Sequence, residues 1–193
     1  MAPESQEAYL DLYRDSGALL EGHFLLSSGL HSNRYLQSAL VLQDPEKAER
    51  LCRALAQQLP DGIEYVVGPA LGGVVVAYEL ARALGALAQF TERKEEAMTL
   101  RRGFQLPQGA RVFIMDDILT TGTSIRECYE ALRDKDIDLV GCGCLVDRSD
   151  GKADVAGLPL HALVGLEVQA WEPADCPMCA EGMPVEKPGS RGA

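Results

Sequence analysis

The chain has 193 residues, 47% of them hydrophobic and 24% charged, which is enough for one domain with a sizeable core. Its net charge of −11 argues against nucleic acid or an anionic membrane as a partner, because such partners select a basic face. Neither a run of roughly 20 apolar residues that could span a bilayer nor a secretory signal is evident, so we expect a cytoplasmic protein with reduced cysteines.

The N-terminal residues predict a helix followed by a hairpin. Residues 5–16 have an amphipathic helical pattern, and 21–37 read as two strands joined by a turn at 27–32. A helix with strong start signals follows at Asp44-Pro45-Glu46 and runs to about Leu59. The segment before that helix is expected to form a small hood on the rest of the fold.

From residue 65 onward, predicted strands alternate with helices. Strands are predicted at 65–67, 87–90, 112–115, 139–146 and 160–168, with a polar loop at 91–109. This alternation predicts an α/β fold, a doubly wound, mostly parallel sheet with flanking helices, whose sites lie at the carboxyl ends of strands. We predict a single domain made of an N-terminal hood (1–43), an α/β core (44–168) and a C-terminal tail (169–193).

The strongest chemical signal is the stretch 111–124, RVFIMDDILTTGTS. An apolar strand leads to Asp116 and Asp117, and a Thr/Gly turn then opens a helix. The free N–H groups and the dipole of a helix start favour a phosphate, and Gly122 allows a close approach. The carboxylates suit the hydroxyls of an attached sugar, directly or through Mg²⁺. A solvated helix cap is the ordinary alternative for such a pair.

This stretch resembles the 5-phosphoribosyl-1-pyrophosphate (PRPP) motif of the type I phosphoribosyltransferases. The resemblance implies their fold, PRPP as a substrate, and a Mg²⁺ cofactor bound mainly through PRPP, with Asp116 and Asp117 as candidate ligands. The PRPP-binding residues that it implies are Leu71, Gly72, Gly73, Asp116, Asp117, Ile118, Leu119, Thr120, Thr121, Gly122, Thr123 and Ser124.

Three further stretches resemble the orotate phosphoribosyltransferase family. In FLLSSGLHSNRYLQ, Tyr35 matches a ring that lies beside the base, and Ser27 lies on the turn that faces it. VGPALGG is similar to the pyrophosphate loop, where a cis peptide would fall near residues 70–71, and Arg148 in VDRSDG matches the orotate-binding arginine. A surface hairpin and a surface ion pair are the alternatives without a site. The implied orotate-binding residues are Ser27, Tyr35, Thr120 and Arg148.

Two departures from the family pattern concern lysines. Many members carry lysines at the positions of Ser27 and Gly72, and their catalytic loop commonly holds a Lys and a His after an Arg-Lys pair. Here the Arg-Lys pair is followed by a shorter segment whose only cations are two arginines, as in a shorter bacterial branch of the family. The predicted catalytic residues are Arg93, Lys94, Arg101, Arg102, Asp116 and Asp117.

The resemblance implies transfer of the 5-phosphoribosyl group from PRPP to orotate, which yields orotidine 5′-monophosphate and pyrophosphate in pyrimidine (UMP) biosynthesis. It also implies a homodimer in which Arg101 or Arg102 reaches the partner's site. A purine phosphoribosyltransferase is one alternative. A non-catalytic, PRPP-sensing regulator is the other, and the net charge of −11 disfavours a regulator that acts on nucleic acid.

The six cysteines form two groups. Four lie in helix or strand patterns and are predicted to be small buried hydrophobes. Cys176 and Cys179 form a C-x-x-C in the tail, which is half of a zinc site, but structural zinc needs four ligands and no second pair is evident. We therefore favour a structural tail over metal or redox work, and the role of its thiols stays open. The buried four are Cys52, Cys128, Cys142 and Cys144.

Overall fold

The structure is a computed structural model, and it describes residues 4–26 and 28–188. In chain order its elements are α1 (Gln6–Asp15), β1 (Leu19–Leu25), β2 (His31–Leu36), α2 (Ala39–Leu42), α3 (Pro45–Ala56), β3 (Tyr65–Pro69), α4 (Gly72–Leu84), β4 (Leu87–Lys94), β5 (Ala97–Leu100), β6 (Arg111–Leu119), α5 (Thr123–Leu132), β7 (Asp138–Asp147), β8 (Leu160–Gly165), β9 (Ala170–Trp171) and α6 (Pro177–Ala180), with a 3₁₀ turn at Pro173–Asp175.

A six-stranded sheet in the order β5-β4-β3-β6-β7-β8 forms the centre. All neighbours in it are parallel except β4 and β5, which form an antiparallel hairpin. Because parallel strands need crossovers, α4 and α5 connect them along the faces of the sheet. The predicted α/β fold with a mostly parallel sheet is confirmed.

The apolar side chains of the sheet bury into one cluster on each face. The first cluster joins Tyr13 of α1 and Leu51 of α3 to Phe113 of β6. The second packs Ile114 against Leu132 of α5. Burying each large apolar side chain contributes about 1.5–3 kcal/mol, so these clusters hold the carboxyl ends of the strands in place. The division into hood, core and tail stays a prediction, and α1 shares the first cluster with the core.

A second, three-stranded sheet has the order β1-β2-β9, and its first two strands lie in the predicted hood. The predicted helix and hairpin are both present, with Ser5 as the N-cap of α1. A one-residue register shift lies between Glu21 and Phe24 of β1. The third strand comes from the tail, where Trp171 pairs with His31. That pairing was not predicted, because a two-residue strand leaves no periodic pattern.

Several predicted boundaries were wrong. The β6 strand continues through Asp116 and Asp117 to Leu119, since the parallel ladder to β7 continues along that length. The segment 91–109, expected to be a loop, begins with the end of β4 and the whole of β5. The short helix α2 was missed, and the last core strand ends at Gly165. Within the described ranges, no helix is long and apolar enough to cross a membrane.

Candidate active site

The turn after β6 has the geometry of an anion site. Asp116 and residues 118–125 line a small cavity there. Gly122 is the N-cap of α5, has a φ of 76° and brings no side-chain cap, so the first N–H groups of this helix are open to a ligand. The hydroxyls of Thr121 and Thr123 lie 2.8 Å apart on exposed residues.

The loop after β7 supports this turn from the side. Arg126 donates to the carbonyl oxygen of Asp154 at 2.7 Å and to that of Thr121 at 3.4 Å. A Cβ on Gly122 would lie 3.0 Å from Cγ1 of Val155, and its positive φ already favours glycine. These contacts brace the turn against the loop after β7.

The acidic pair is buried more deeply than the sequence predicted. Asp116 is only 7% exposed, so it belongs to the edge of the core. Oδ1 of Asp116 accepts from the backbone N–H of Asp117, and Oδ1 of Asp117 accepts from that of Ile118, both at 2.9 Å. Burial, and then the charge of Asp117, raise the pKa of Asp116 to about 8; burial also raises the pKa of Asp117. Such a pair suits a cation or hydroxyl donors.

The pyrophosphate-type loop lies directly against this pair. A Cβ on Gly72 would approach Oδ1 of Asp117 to 2.7 Å, and one on Gly73 would approach the carbonyl oxygen of Met115 to 2.9 Å. Leu71, between the sheet and α4, is 87% exposed. The predicted cis peptide joins residues 70 and 71. In this conformation the close approach leaves no room for a side chain at Gly72.

Arg148 follows β7 and reaches the same edge of the sheet. Its backbone N–H donates to the carbonyl oxygen of Leu119 at 2.8 Å. Its Nε atom is buried and has no hydrogen-bond partner among the described residues, and burial lowers the pKa of the guanidinium. A half-buried cation whose Nε lacks a partner is poised to receive an anion.

Asp147 is a positioning residue that sequence reasoning missed. It is 7% exposed, and its carboxylate accepts from the N–H of Ser149 at 2.7 Å and from that of Gly151 at 3.1 Å. These bonds shape the loop that carries Arg148. An Asp followed two residues later by Ser at a strand end is an Asx-turn signal that could have identified it.

Arg93 and Lys94 lie at the end of β4, on the hairpin. The guanidinium of Arg93 pairs with Glu127 of α5 and donates to the carbonyl oxygen of Glu96 at 2.9 Å. Lys94 pairs in register with Ala97. The charge of Arg93 is therefore partly neutralised, and both cations belong to the hairpin and not to the turn after β6.

Arg101 and Arg102 share one carboxylate, Glu92. Nη1 of Arg101 lies 3.3 Å from it, and Arg102 donates two bonds of 2.8 Å, which lower the pKa of Glu92. The side chains of the two arginines are 45% and 62% exposed, so the pairs are weak and can open. In this state neither arginine reaches the acidic pair.

Two of the predicted orotate-binding residues, Tyr35 and Ser27, belong to the hood. Tyr35 donates to Oε1 of Gln37 at 3.2 Å, and its ring centroid lies 6.0 Å from that of Phe24. These contacts are all within the hood. Ser27, the other predicted orotate-binding residue of the hood, lies outside the described residues.

Residues 39–176 match the family model described as "Phosphoribosyl transferase domain". An orotate phosphoribosyltransferase from Pelotomaculum thermopropionicum is 50% identical over 188 residues, which cover 97% of this chain and 98% of that protein. One from Acidithiobacillus ferrooxidans is 51% identical over 185 residues, covering 94% and 95%. The chain belongs to the orotate phosphoribosyltransferase family. The resemblance identified from the sequence is thereby confirmed, and the predicted enzyme class, a pentosyltransferase, is that of this family.

Solved structures show how widely the fold is shared. The crystal structure of the orotate phosphoribosyltransferase from Aeropyrum pernix has a TM-score of 0.67 at 26% identity and covers 81% of this chain and 92% of that chain. An adenine phosphoribosyltransferase from Rhodothermus marinus has a TM-score of 0.63 at 22% identity, covering 84% and 100%. Because an adenine enzyme shares the fold, the fold alone does not select orotate.

Proposed function

We propose that this chain transfers the 5-phosphoribosyl group of PRPP to orotate, giving orotidine 5′-monophosphate and pyrophosphate in pyrimidine biosynthesis. Its family supports the reaction, and Arg148 carries the choice of acceptor. Orotate differs from uracil by one carboxylate, and purine bases carry none. A guanidinium can meet a carboxylate with two parallel hydrogen bonds, and the buried Nε of Arg148 has no partner among the described residues.

The turn after β6 is proposed to hold the donor. The uncapped start of α5 and the exposed hydroxyls of residues 120–124 favour the 5′-phosphate. Asp116 and Asp117 are proposed to accept from the ribose hydroxyls, and the backbone of Leu71, Gly72 and Gly73 to follow the pyrophosphate. Holding both ends of PRPP would position its C1′ atom for the incoming base.

We also propose Mg²⁺ as the cofactor, held mainly through PRPP, with Asp116 and Asp117 as the protein's candidate ligands. Their oxygen atoms are the donors that Mg²⁺ prefers, and a nearby cation would favour the charged forms of two carboxyls whose pKa values are raised. When bound, the ion helps to neutralise the leaving pyrophosphate.

The hairpin cations are proposed to complete that neutralisation. The bond from C1′ to pyrophosphate breaks with positive charge on the ribose, so catalysis consists mainly of positioning and electrostatics. Arg93, Lys94, Arg101 and Arg102 would contact the leaving group after their surface ion pairs open. In a homodimer, Arg101 or Arg102 would serve the partner's site, and mixing inactive arginine and aspartate variants would then restore partial activity.

A cytoplasmic location is part of the same proposal. None of the six cysteines forms a disulfide, which is usual in a reducing compartment.

A panel of acceptors tests the proposal. Orotate, uracil, adenine, hypoxanthine and xanthine are each incubated with PRPP and Mg²⁺, and both pyrophosphate and the nucleotide are measured. We expect turnover with orotate and none above background with the other bases, because a site built for a carboxylate rejects analogues that lack it. A preference for any purine would contradict orotate as the acceptor but not PRPP as the donor.

A further inference from the structure

Four side chains that can bind a metal meet between the hood and the tail. Their ligand atoms all lie within 4.8 Å of one another. Nε2 of His23 lies 2.8 Å from Nδ1 of His31, 3.5 Å from Sγ of Cys176 and 3.7 Å from Sγ of Cys179. Sγ of Cys179 lies 3.2 Å from Nδ1 of His31. The two histidines are 3% and 8% exposed and Cys176 is 2% exposed, while Cys179 is exposed, so three of the four ligands are shielded from solvent.

These distances are close to the edges of a tetrahedral zinc site. With bonds of about 2.3 Å to sulfur and 2.0–2.1 Å to nitrogen, a regular tetrahedron has N···N edges of about 3.3 Å and N···S edges of about 3.5 Å. Three of the four N···S distances, 3.2, 3.5 and 3.7 Å, scatter around the second value, and the fourth, between Cys176 and His31, is within 4.8 Å. The N···N distance of 2.8 Å needs a shift of about 0.5 Å to reach the first value.

The ring of His23 is oriented as a metal ligand would be. Its Nδ1 atom lies 2.9 Å from the carbonyl oxygen of Met183, which can only accept, so Nδ1 carries the proton. Nε2 therefore faces the cluster with a free lone pair. A backbone carbonyl that accepts from the other ring nitrogen is the usual outer contact of a metal-bound histidine.

A hydrogen bond between the two imidazoles explains only part of the cluster. It accounts for the 2.8 Å contact of His23 and His31, but not for two thiols that approach the same nitrogen atoms. Cys176 and Cys179 are both free, so a disulfide does not account for them. One central ion accounts for all four convergent ligands.

The tail lacks the apolar burial that would otherwise hold it. Between residues 169 and 188, Cys176 alone is buried, and only Trp171, Met178 and Pro188 are half-buried. Segments with so little core are commonly held by a metal or a disulfide. The tail is nevertheless ordered against the hairpin.

The path of the tail shows what the cluster would fasten. At one end, β9 pairs with β2 through His31 and Trp171. At the other end, Glu186 bridges to Phe24 along the free edge of β1: its N–H donates to the carbonyl oxygen of His23 and its carbonyl oxygen accepts from the N–H of Leu25, both at 2.8 Å. The tail thus passes from one edge of the hairpin to the other, and the C-x-x-C lies between these two attachments.

We propose that His23, His31, Cys176 and Cys179 bind one Zn²⁺ as a closed structural site that fastens the C-terminal tail to the N-terminal hairpin. Four protein ligands leave no open position, which is the character of structural zinc. Two thiolates and two imidazoles in a tetrahedron favour Zn²⁺ over Mg²⁺ or Ca²⁺, which prefer oxygen ligands. The site is separate from the Mg²⁺ of the transfer reaction, because none of its ligands belongs to the acidic pair.

Metal analysis of the full chain, purified without chelator or added histidine tag, tests the proposal. We expect about one zinc per chain in the wild type, bound through dialysis, since structural sites hold zinc tightly. Cys179→Ala and His31→Gln should lose at least about nine-tenths of it. Cys142→Ala and His161→Gln are the matched controls, because both change a cysteine or histidine outside the cluster, and they should keep wild-type zinc.

Replacement of zinc by Co²⁺ gives a second readout that does not depend on activity. We expect the intense visible bands of a tetrahedral, thiolate-ligated Co²⁺ in the wild type and in both controls. Zinc removal should also lower the thermal midpoint by about 5–10 °C, since a loss of a few kcal/mol shifts a domain of this size by about that much.

Three results would overturn the site. The first is a wild type that contains no zinc and takes up neither zinc nor tetrahedral Co²⁺. The second is full zinc content in Cys179→Ala or His31→Gln. The third is loss of zinc from the controls as well as from the cluster variants. If the cluster variants fail to fold, the wild-type zinc content and Co²⁺ spectrum decide the question.

Discussion

The acidic pair of β6 and the histidine–cysteine cluster of the tail are both crowded polar groups, but they affect stability in opposite directions. In the pair, burial raises the pKa of both carboxyls, so each negative charge opposes folding until a cation or a sugar arrives. In the cluster, a bound ion would add stability to a tail with almost no core. The acidic pair therefore lowers the stability of the ligand-free fold and favours binding, whereas the histidine–cysteine cluster would raise the stability of the tail by binding an ion.

The largest effect is expected where the acidic pair is neutralised. Changing Asp116 and Asp117 together to Asn should lower kcat/KM by about 10³-fold or more, because the ribose loses its charged acceptors. Circular dichroism should report a folded protein, since Asn has nearly the same volume as Asp and carries no charge that burial would oppose. Asp134→Asn, at a side chain that is 92% exposed, is the control and should be fully active. Normal PRPP turnover by the double variant would refute the ribose role.

Loss of the acceptor cation should come next. Arg148→Ala should lower kcat/KM for orotate by about 10²-fold or more with PRPP binding little changed, because only the carboxylate contact is lost. Arg148→Lys should rescue poorly, since a point charge cannot replace the two-pronged guanidinium. Arg133→Ala, in a surface ion pair on α5, is the matched control. Full orotate activity in Arg148→Ala would remove the basis for choosing orotate.

The contact between the pyrophosphate-type loop and the acidic pair can be tested with one methyl group. Gly72→Ala should weaken PRPP binding by about 10-fold or more, because its Cβ would lie 2.7 Å from Oδ1 of Asp117 and one of them must move. Gly165→Ala is the control, since nothing lies within 4 Å of its added Cβ. The measurement is the KM for PRPP of each variant. If Gly72→Ala and Gly165→Ala had equal KM values for PRPP, the loop at residues 71–73 would accommodate the methyl group without affecting binding.

The last effect expected concerns the stability of the acidic pair and not the activity of the enzyme. Asp116 has a pKa of about 8 when folded and about 4 when unfolded, so between these values the folded chain holds the extra proton. Stability of the ligand-free protein should therefore fall as the pH rises from about 4 to about 8, with a slope of up to about 1.4 kcal/mol per pH unit. Denaturant unfolding at several pH values measures it. Asp116→Asn should flatten the slope, and an unchanged slope would assign it to other groups.

The acidic pair of β6 and the histidine–cysteine cluster also differ in how much of their structure could be predicted from the sequence. The motif at 111–124 is contiguous, so its strand, turn and helix were predictable from local periodicity and turn chemistry. Even there, the end of β6 was misplaced, because a ladder with β7 extends a strand beyond its apolar run. Burial of Asp116 and the approach of Gly72 to Asp117 depend on how separate strands pack, and no local pattern encodes them.

By itself, the sequence determined the α/β fold and its alternating strands and helices, because contiguous periodic patterns specify these elements. Its motifs also carried the resemblance that led to the family and to the candidate residues. Only the tertiary structure decided which distant side chains meet. His23 and Cys176 are 153 positions apart; His23 lies within the register shift of β1, and the pairing of β9 with β2 brings the tail to the hairpin. A bulge re-aims a side chain without marking the sequence. The histidines that complete the C-x-x-C half-site, His23 and His31, can therefore be recognised only in the folded chain.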